Sequence, residues 1–117
     1  MLNECRQALR ITTTAYDGEL CSLMDAGARD LAIAGVKLPG TVSFQLVSST
    51  VGTVTTSYWQ DDSTLKDALV MRAIFTYTRM LFGSPDDYDR LRDGYDAQKG
   101  QLMHATGYTD FGEGDGT

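Results

Sequence analysis

The stretch TLKDALVMRAIFTYTRMLFG, residues 64–83, decides the fold. No proline interrupts it, Gly83 closes it, and wound as a helix it is apolar around most of its circumference. Val70, Ala73, Ile74, Tyr77 and Leu81 share one broad face, and Met71, Phe75, Thr78 and Phe82 share the face beside it. The clearly polar remainder is a narrow stripe of Arg72, Thr76 and Arg79. A helix with so little polar surface belongs in the middle of a packed bundle. The pattern therefore predicts one long buried helix over 64–83, capped by Asp62 or Ser63, with the other helices wrapped around it.

Toward the N-terminus, residues 2–9 read as a short helix with Asn3 as candidate N-cap and Leu2, Cys5, Ala8 and Leu9 turned inward. Ile11 to Thr14 favour extended backbone, because β-branched threonines are restricted in helices. Asp17 is expected to cap a second helix that runs to about Ala34, with Glu19 favoured by the helix dipole. Leu20, Leu23, Met24, Gly27, Leu31 and Ala34 form its apolar stripe, while Asp25, Arg29 and Asp30 face away. The small residues at 26–28 let a neighbouring helix approach closely. Gly35 suits the left-handed residue that ends the helix, and Pro39-Gly40 enforces the stop.

Residues 41–60, TVSFQLVSSTVGTVTTSYWQ, are different in kind: rich in Val, Thr and aromatics and free of charge. Val42, Phe44 and Leu46 alternate with polar residues as in a half-buried strand. Ser48 to Gly52 is the expected turn, with Val54, Thr56 and Tyr58 on the return strand. A β-hairpin or extended loop is thus inserted between helices. A lone hairpin is marginal in water, so it must pack on the bundle or on another subunit. Tyr58 and Trp59 are the candidate anchors; the alternative for Trp59 is a plug at the end of the core.

Beyond Gly83, Ser84-Pro85-Asp86-Asp87 is a strong helix start. Tyr88, Leu91, Tyr95, Gln98 and Leu102 then trace one seam, and Gly94 and Gly100 imply a bend or a close contact. Gly107 ends that helix. The last segment, YTDFGEGDGT (108–117), is glycine-rich and acidic, which predicts a flexible tail, and Tyr108 and Phe111 give it two anchors for a partner. The expected fold is mainly α: a small bundle of about four helices around the buried helix 64–83, with an insertion at about 41–60. Residues 1–107 make one domain, and 108–117 the tail.

Composition narrows the function. With 117 residues the chain is long enough for one core, and no apolar run approaches the roughly 20 residues a membrane helix needs. The N-terminal segment lacks the apolar region of a signal peptide. Cys5 and Cys21 read as free buried thiols of a reducing compartment, with a disulfide between the first two helices as the alternative. Sixteen acids against ten bases, a net charge of −6, disfavour tight sequence-independent DNA binding. Parts for catalysis are missing from the pattern. His104 stands alone near a helix end, no spacing suits zinc or calcium, and no glycine pattern suits a phosphate. Capping explains Asp61-Asp62 and Asp86-Asp87 without a metal. The expectation is therefore no enzyme, no metal and no cofactor. Arg72 and Arg79 are read as partners for acids of a neighbouring helix or of another subunit.

Two segments, ALRITTTAYDGELCSLMDAGARDLAIAGV (8–36) and DALVMRAIFTYTRMLFGSPDDYDRLRDGYDAQKGQLMHATGYT (67–109), carry a resemblance. In order and spacing they resemble the small head–tail connector, or adaptor, proteins of tailed bacteriophages. In the first, the matching features are a Leu-Arg-Ile segment, an Asp before the next helix and a Gly-hydrophobic ending. In the second they are Ala73-Ile74, Tyr77, Phe82-Gly83, Arg90, Tyr95, Leu102 and Tyr108-Thr109. The resemblance implies a virion protein of the neck, made in the host cytoplasm. It would form a ring, usually of twelve copies, that joins the capsid portal to the next neck or tail component. Double-stranded DNA would pass through that ring without specific binding, and no membrane is involved. The resemblance also places Tyr108, Thr109 and Phe111 at the portal. The 41–60 segment departs from the simplest members by being longer and more β-like, so either lining the channel or gripping a neighbouring subunit fits it. The alternative function is a small phage or prophage module that sequesters a host protein.

Overall fold

The computed structural model describes residues 1–83 and 86–104. These residues form helices α1 (Leu2–Ala8) and α2 (Asp17–Ile33), strands β1 (Phe44–Val51) and β2 (Val54–Asp61), then helices α3 (Ala68–Leu81) and α4 (Tyr88–His104). The expectation of a mainly α bundle is corrected: the chain is mixed α/β, four helices with a two-stranded antiparallel sheet. The physical reason lies in the Val- and Thr-rich segment, which pairs over eight residues in each strand. Its turn comes later than expected. Val51 pairs with Val54, so the loop is Gly52-Thr53, with Gly52 at φ 64° as a two-residue hairpin turn requires. The flexible tail expected over 108–117, and the Ser84-Pro85 helix start and Gly107 stop, lie outside the described residues.

Helix α3 packs between α2 and α4, and Val70, Ala73, Ile74, Thr78 and Met80 are buried. Beneath it Leu20, Met24 and Leu31 of α2 reach zero exposure. The small residues of α2 act as expected: a Cβ on Gly27 would lie 3.0 Å from the Tyr77 ring. On the other side Tyr95 of α4 meets Tyr77 edge to face, with centroids 5.3 Å apart. The Tyr95 hydroxyl donates to Asp30, and Lys99 reaches the same carboxylate at 3.3 Å. Asp30, off the apolar stripe, thus meets α4 while keeping 39% of its side chain in solvent. Burial, then the Asp30 carboxylate, pushes the Tyr95 hydroxyl far above its ordinary pKa, so it stays a donor.

Several helix starts differ from expectation. Helix α3 begins four residues late, because the Asp67 side chain accepts from Leu69 N–H at 3.0 Å and Val70 N–H at 3.1 Å. Residues 62–66 instead take no regular structure, with Thr64 and Leu65 N–H donating to the Thr41 carbonyl. Asn3 is no cap for α1, whose N-cap is Met1, and Asp17 is the first residue of α2. The Asp17 carboxylate serves Arg6 of α1 at 2.9 Å, tying the two helices together. Gly94 and Gly100 have open space where a Cβ would stand, so no close contact explains them in the single chain. Gly35, at φ 98°, ends α2 as expected.

Asp61, the last residue of β2, does cap a helix, but one at the other end of the chain. Its Oδ2 accepts from the Met1 amino group at 2.6 Å and from Leu2 N–H at 2.9 Å. Partial burial opposes ionisation of Asp61, yet the amino group, Leu2 and Ser63 N–H outweigh it and hold its pKa down at about 2. Burial also works against the charged amino group, but Asp61 and Glu4 raise its pKa above 8.0. The Asp61 contribution is thus complete above about pH 4 and lost as pH falls through about 2. The contribution of the amino group is complete below pH 8.0 and lost as pH rises through its raised value. Asp61→Asn should lower stability at pH 7 by about 1–2 kcal/mol and flatten the acid limb of the stability curve. Urea unfolding at pH 7 and pH 3 checks both; equal loss at the two pH values would reject the ionised contact.

Candidate functional site

Two surfaces stand out, and the hairpin is the first. Strands of eight residues at about 3.3 Å per residue carry it about 25 Å from its base. Residues 48–58 are exposed on both strands, and Leu46, Val51, Val54 and Tyr58 keep 52%, 77%, 62% and 60% of their surface. The register sorts its faces. Leu46 opposite Trp59, Ser48 opposite Ser57 and Thr50 opposite Thr55 share one face, the last two pairs joined by hydroxyl contacts of 3.0 Å. Val47 opposite Tyr58 and Val51 opposite Val54 share the other with the polar pairs Gln45–Gln60 and Ser49–Thr56. Two apolar pairs are thus set apart by a polar one, and Val51, Val54 and Tyr58 are left open by the described residues. From Val42 to Gln60 there is no charged side chain, and among the described residues neither strand edge is paired with a further strand. Charge is the common protection of an exposed edge, so this hairpin is left ready to pair.

The two candidate anchors are separated by this register. Trp59 is half-buried: its indole lies over α2, with Nε1 3.4 Å from where a Cβ on Gly18 would stand. Tyr58 points to the opposite face and meets solvent. Trp59 is therefore a pin fixing the hairpin base to α2, and Tyr58 belongs to the open face.

The second surface is a groove of about 400 Å³ between α1, α3 and α4. Ala8 and Leu9, Met71 and Phe75, and Leu91 make its apolar lining, and Lys66, Arg72 and Arg79 stand around it. The expectation that α3 is wrapped on all sides is corrected here. Cover comes from α2 and α4, and the third side opens into this groove. Arg72 and Arg79 are exposed and form no ion pair among the described residues, so neither finds an acid on a neighbouring helix. Sequence reasoning placed Met71 and Phe75 on an apolar face but missed the groove. Ala8 and Leu9 were read as inward-facing, and only the position of α1 shows that they border open space.

The remaining candidates yield no chemistry. His104 is exposed at the last position of α4. No group of three His, Cys, Asp or Glu suited to a metal occurs among the described residues. Cys5 and Cys21 are both free and buried, and burial pushes each thiol up to about 12, far from the range of a reactive thiolate. Tyr108, Thr109 and Phe111 lie outside the described residues. Among the described residues no helix is long and apolar enough to cross a membrane. Compared with known proteins, the chain matches no family model, no curated protein and no solved structure.

The two aromatic neighbours should therefore respond differently to truncation. Trp59→Ala is expected to cost about 2–3 kcal/mol of stability, and Tyr58→Ala less than about 0.5 kcal/mol. Thermal melts of both variants at low protein concentration measure the contrast. Equal losses would reject the assignment of one ring to the fold and the other to the open face.

Proposed function

We propose that the protein is a structural assembly subunit, a head–tail connector of a tailed bacteriophage. It forms a ring that joins the capsid portal to the neck or tail and extends the DNA channel. The observation that carries this reading is the uncharged hairpin, with Val51, Val54 and Tyr58 open to solvent on one face. An isolated soluble chain gains nothing from such a feature, whereas a subunit whose neighbour covers it gains an interface. The two motifs that resemble the connector family, 8–36 and 67–109, supply the kind of assembly. Of the two places open to the hairpin, gripping a neighbour suits exposed apolar residues better than lining a water-filled channel. The net charge of −6 suits a passage that DNA must slide through without sticking. Tyr108, Thr109 and Phe111 would reach the portal.

The test is the mass of the purified protein, alone and with its cognate portal, by light scattering after size exclusion. A ring in either sample supports the proposal, and a monomer that ignores the portal overturns it. A triple variant, Val51→Lys, Val54→Lys and Tyr58→Lys, should leave the melting temperature of the monomer unchanged and weaken ring formation at least about tenfold. A variant ring as stable as the wild type would remove the hairpin from the interface.

A further inference from the structure

We propose that in the free subunit the groove between α1, α3 and α4 is the resting place of the chain's own C-terminal segment, residues 108–115, folded back along α3 and released when that segment meets a partner. Leu9, Met71, Phe75 and Leu91 give the groove an apolar lining, and Lys66, Arg72 and Arg79 line it as well. The charges there are unusual for this molecule. Arg6, Arg29, Arg90, Arg92 and Lys99 each hold an acid of the chain, in a protein that carries six more acids than bases. Lys66, Arg72 and Arg79 hold none within 4.0 Å among the described residues; Arg10 holds none either but lies outside the groove, whereas these three line it. Glu4, its one acid, is already engaged by the Met1 amino group at 2.8 Å.

The segment YTDFGEGD (108–115) has the complementary composition: Tyr108 and Phe111 for the apolar lining, Asp110, Glu113 and Asp115 for the cations, and no cation of its own. The lengths agree. From Ala68 to Arg79, α3 rises about 16 Å, and an extended chain from Asp110 to Asp115 spans about 17 Å. The tether agrees as well. Gln98, Gln101 and Leu102 of α4 share a cleft with Leu69 and Arg72, so α4 ends beside the start of α3, and Arg72 borders both that cleft and the groove. Three residues, 105–107, can span at most about 10 Å. A short tether holds the segment at millimolar effective concentration, which favours the same chain over a second copy. None of this depends on the connector reading.

Chymotrypsin cleavage after Tyr108 and Phe111 in the full-length chain, followed by mass spectrometry, tests the proposal. Cleavage of a docked segment tracks the fraction that has opened. Relative to wild type, Arg72→Glu/Arg79→Glu should accelerate cleavage at these two bonds about tenfold. Both arginines are exposed, so the fold and the melting temperature should hold. Asp110→Lys/Glu113→Lys/Asp115→Lys should do the same, and combining the two charge reversals should restore protection. Equal rates in all four proteins would overturn the proposal, as would a combined variant that stays fast. Wild-type protection that grows with protein concentration would also overturn it, assigning the groove to a second copy's segment instead.

Discussion

One mismatch shapes this molecule: α3 has more apolar surface than two neighbouring helices can cover. Val70, Ala73, Ile74 and Thr78 face α2 and α4 and are sealed, and the tyrosine pair of Tyr77 and Tyr95 closes the seam between the last two helices. Helix α1 is only seven residues long, and it borders the third side without filling it. Met71 and Phe75 are left half-covered, with arginines one turn away on either hand. A longer first helix would have made an ordinary closed bundle. The short one leaves a slot whose chemistry, apolar and cationic together, is unlike the acidic remainder of the surface.

A second device fixes the hairpin to the helices. Asp61 ends β2 and at the same time takes the amino group and first N–H of α1, sixty and fifty-nine residues away in the chain. Trp59, two residues earlier, lies on the same face of the sheet and rests on α2. The base of the hairpin is thus held at two points, by an ionic contact to α1 and an aromatic one to α2. The outer part is held by neither. Its stiffness comes from its own ladder and from the hydroxyl pairs Ser48–Ser57 and Thr50–Thr55.

The readable part of this structure is the part governed by local periodicity. The stripe of α2, the left-handed Gly35, the presence of a hairpin and the burial of Val70, Ala73 and Ile74 on α3 follow from spacing over a few residues. Leu81, expected on that same face of α3, is instead 40% exposed, and Met80, expected on neither face, is buried. What escaped was decided by distant partners. Asp61 looked like a cap for the helix that follows it, yet serves α1. Asp30 lay on the polar side of α2, yet Tyr95 and Lys99 come to it from α4. The start of α3 was misplaced because Asp62, Ser63 and Asp67 are all good caps, and the pairing of Thr64 and Leu65 with Thr41 selects the last of them. For the site, the apolar and uncharged character of 41–60 was visible. Which of Tyr58 and Trp59 faces outward was not, because that depends on a two-residue turn at Gly52-Thr53 setting the register.

The anchored base has a geometric consequence. Like edges of two such hairpins would pair two copies and stop, whereas a β1 edge meeting the β2 edge of the next copy would associate head to tail. Such a chain of contacts has no built-in end. It closes on itself only when the angle between successive copies divides a full turn, and it grows into a filament otherwise. That angle is set by the twist of the hairpin itself, because both edges belong to one two-stranded sheet. Asp61 and Trp59, at its root, would fix instead how the helices are carried around the resulting ring or filament.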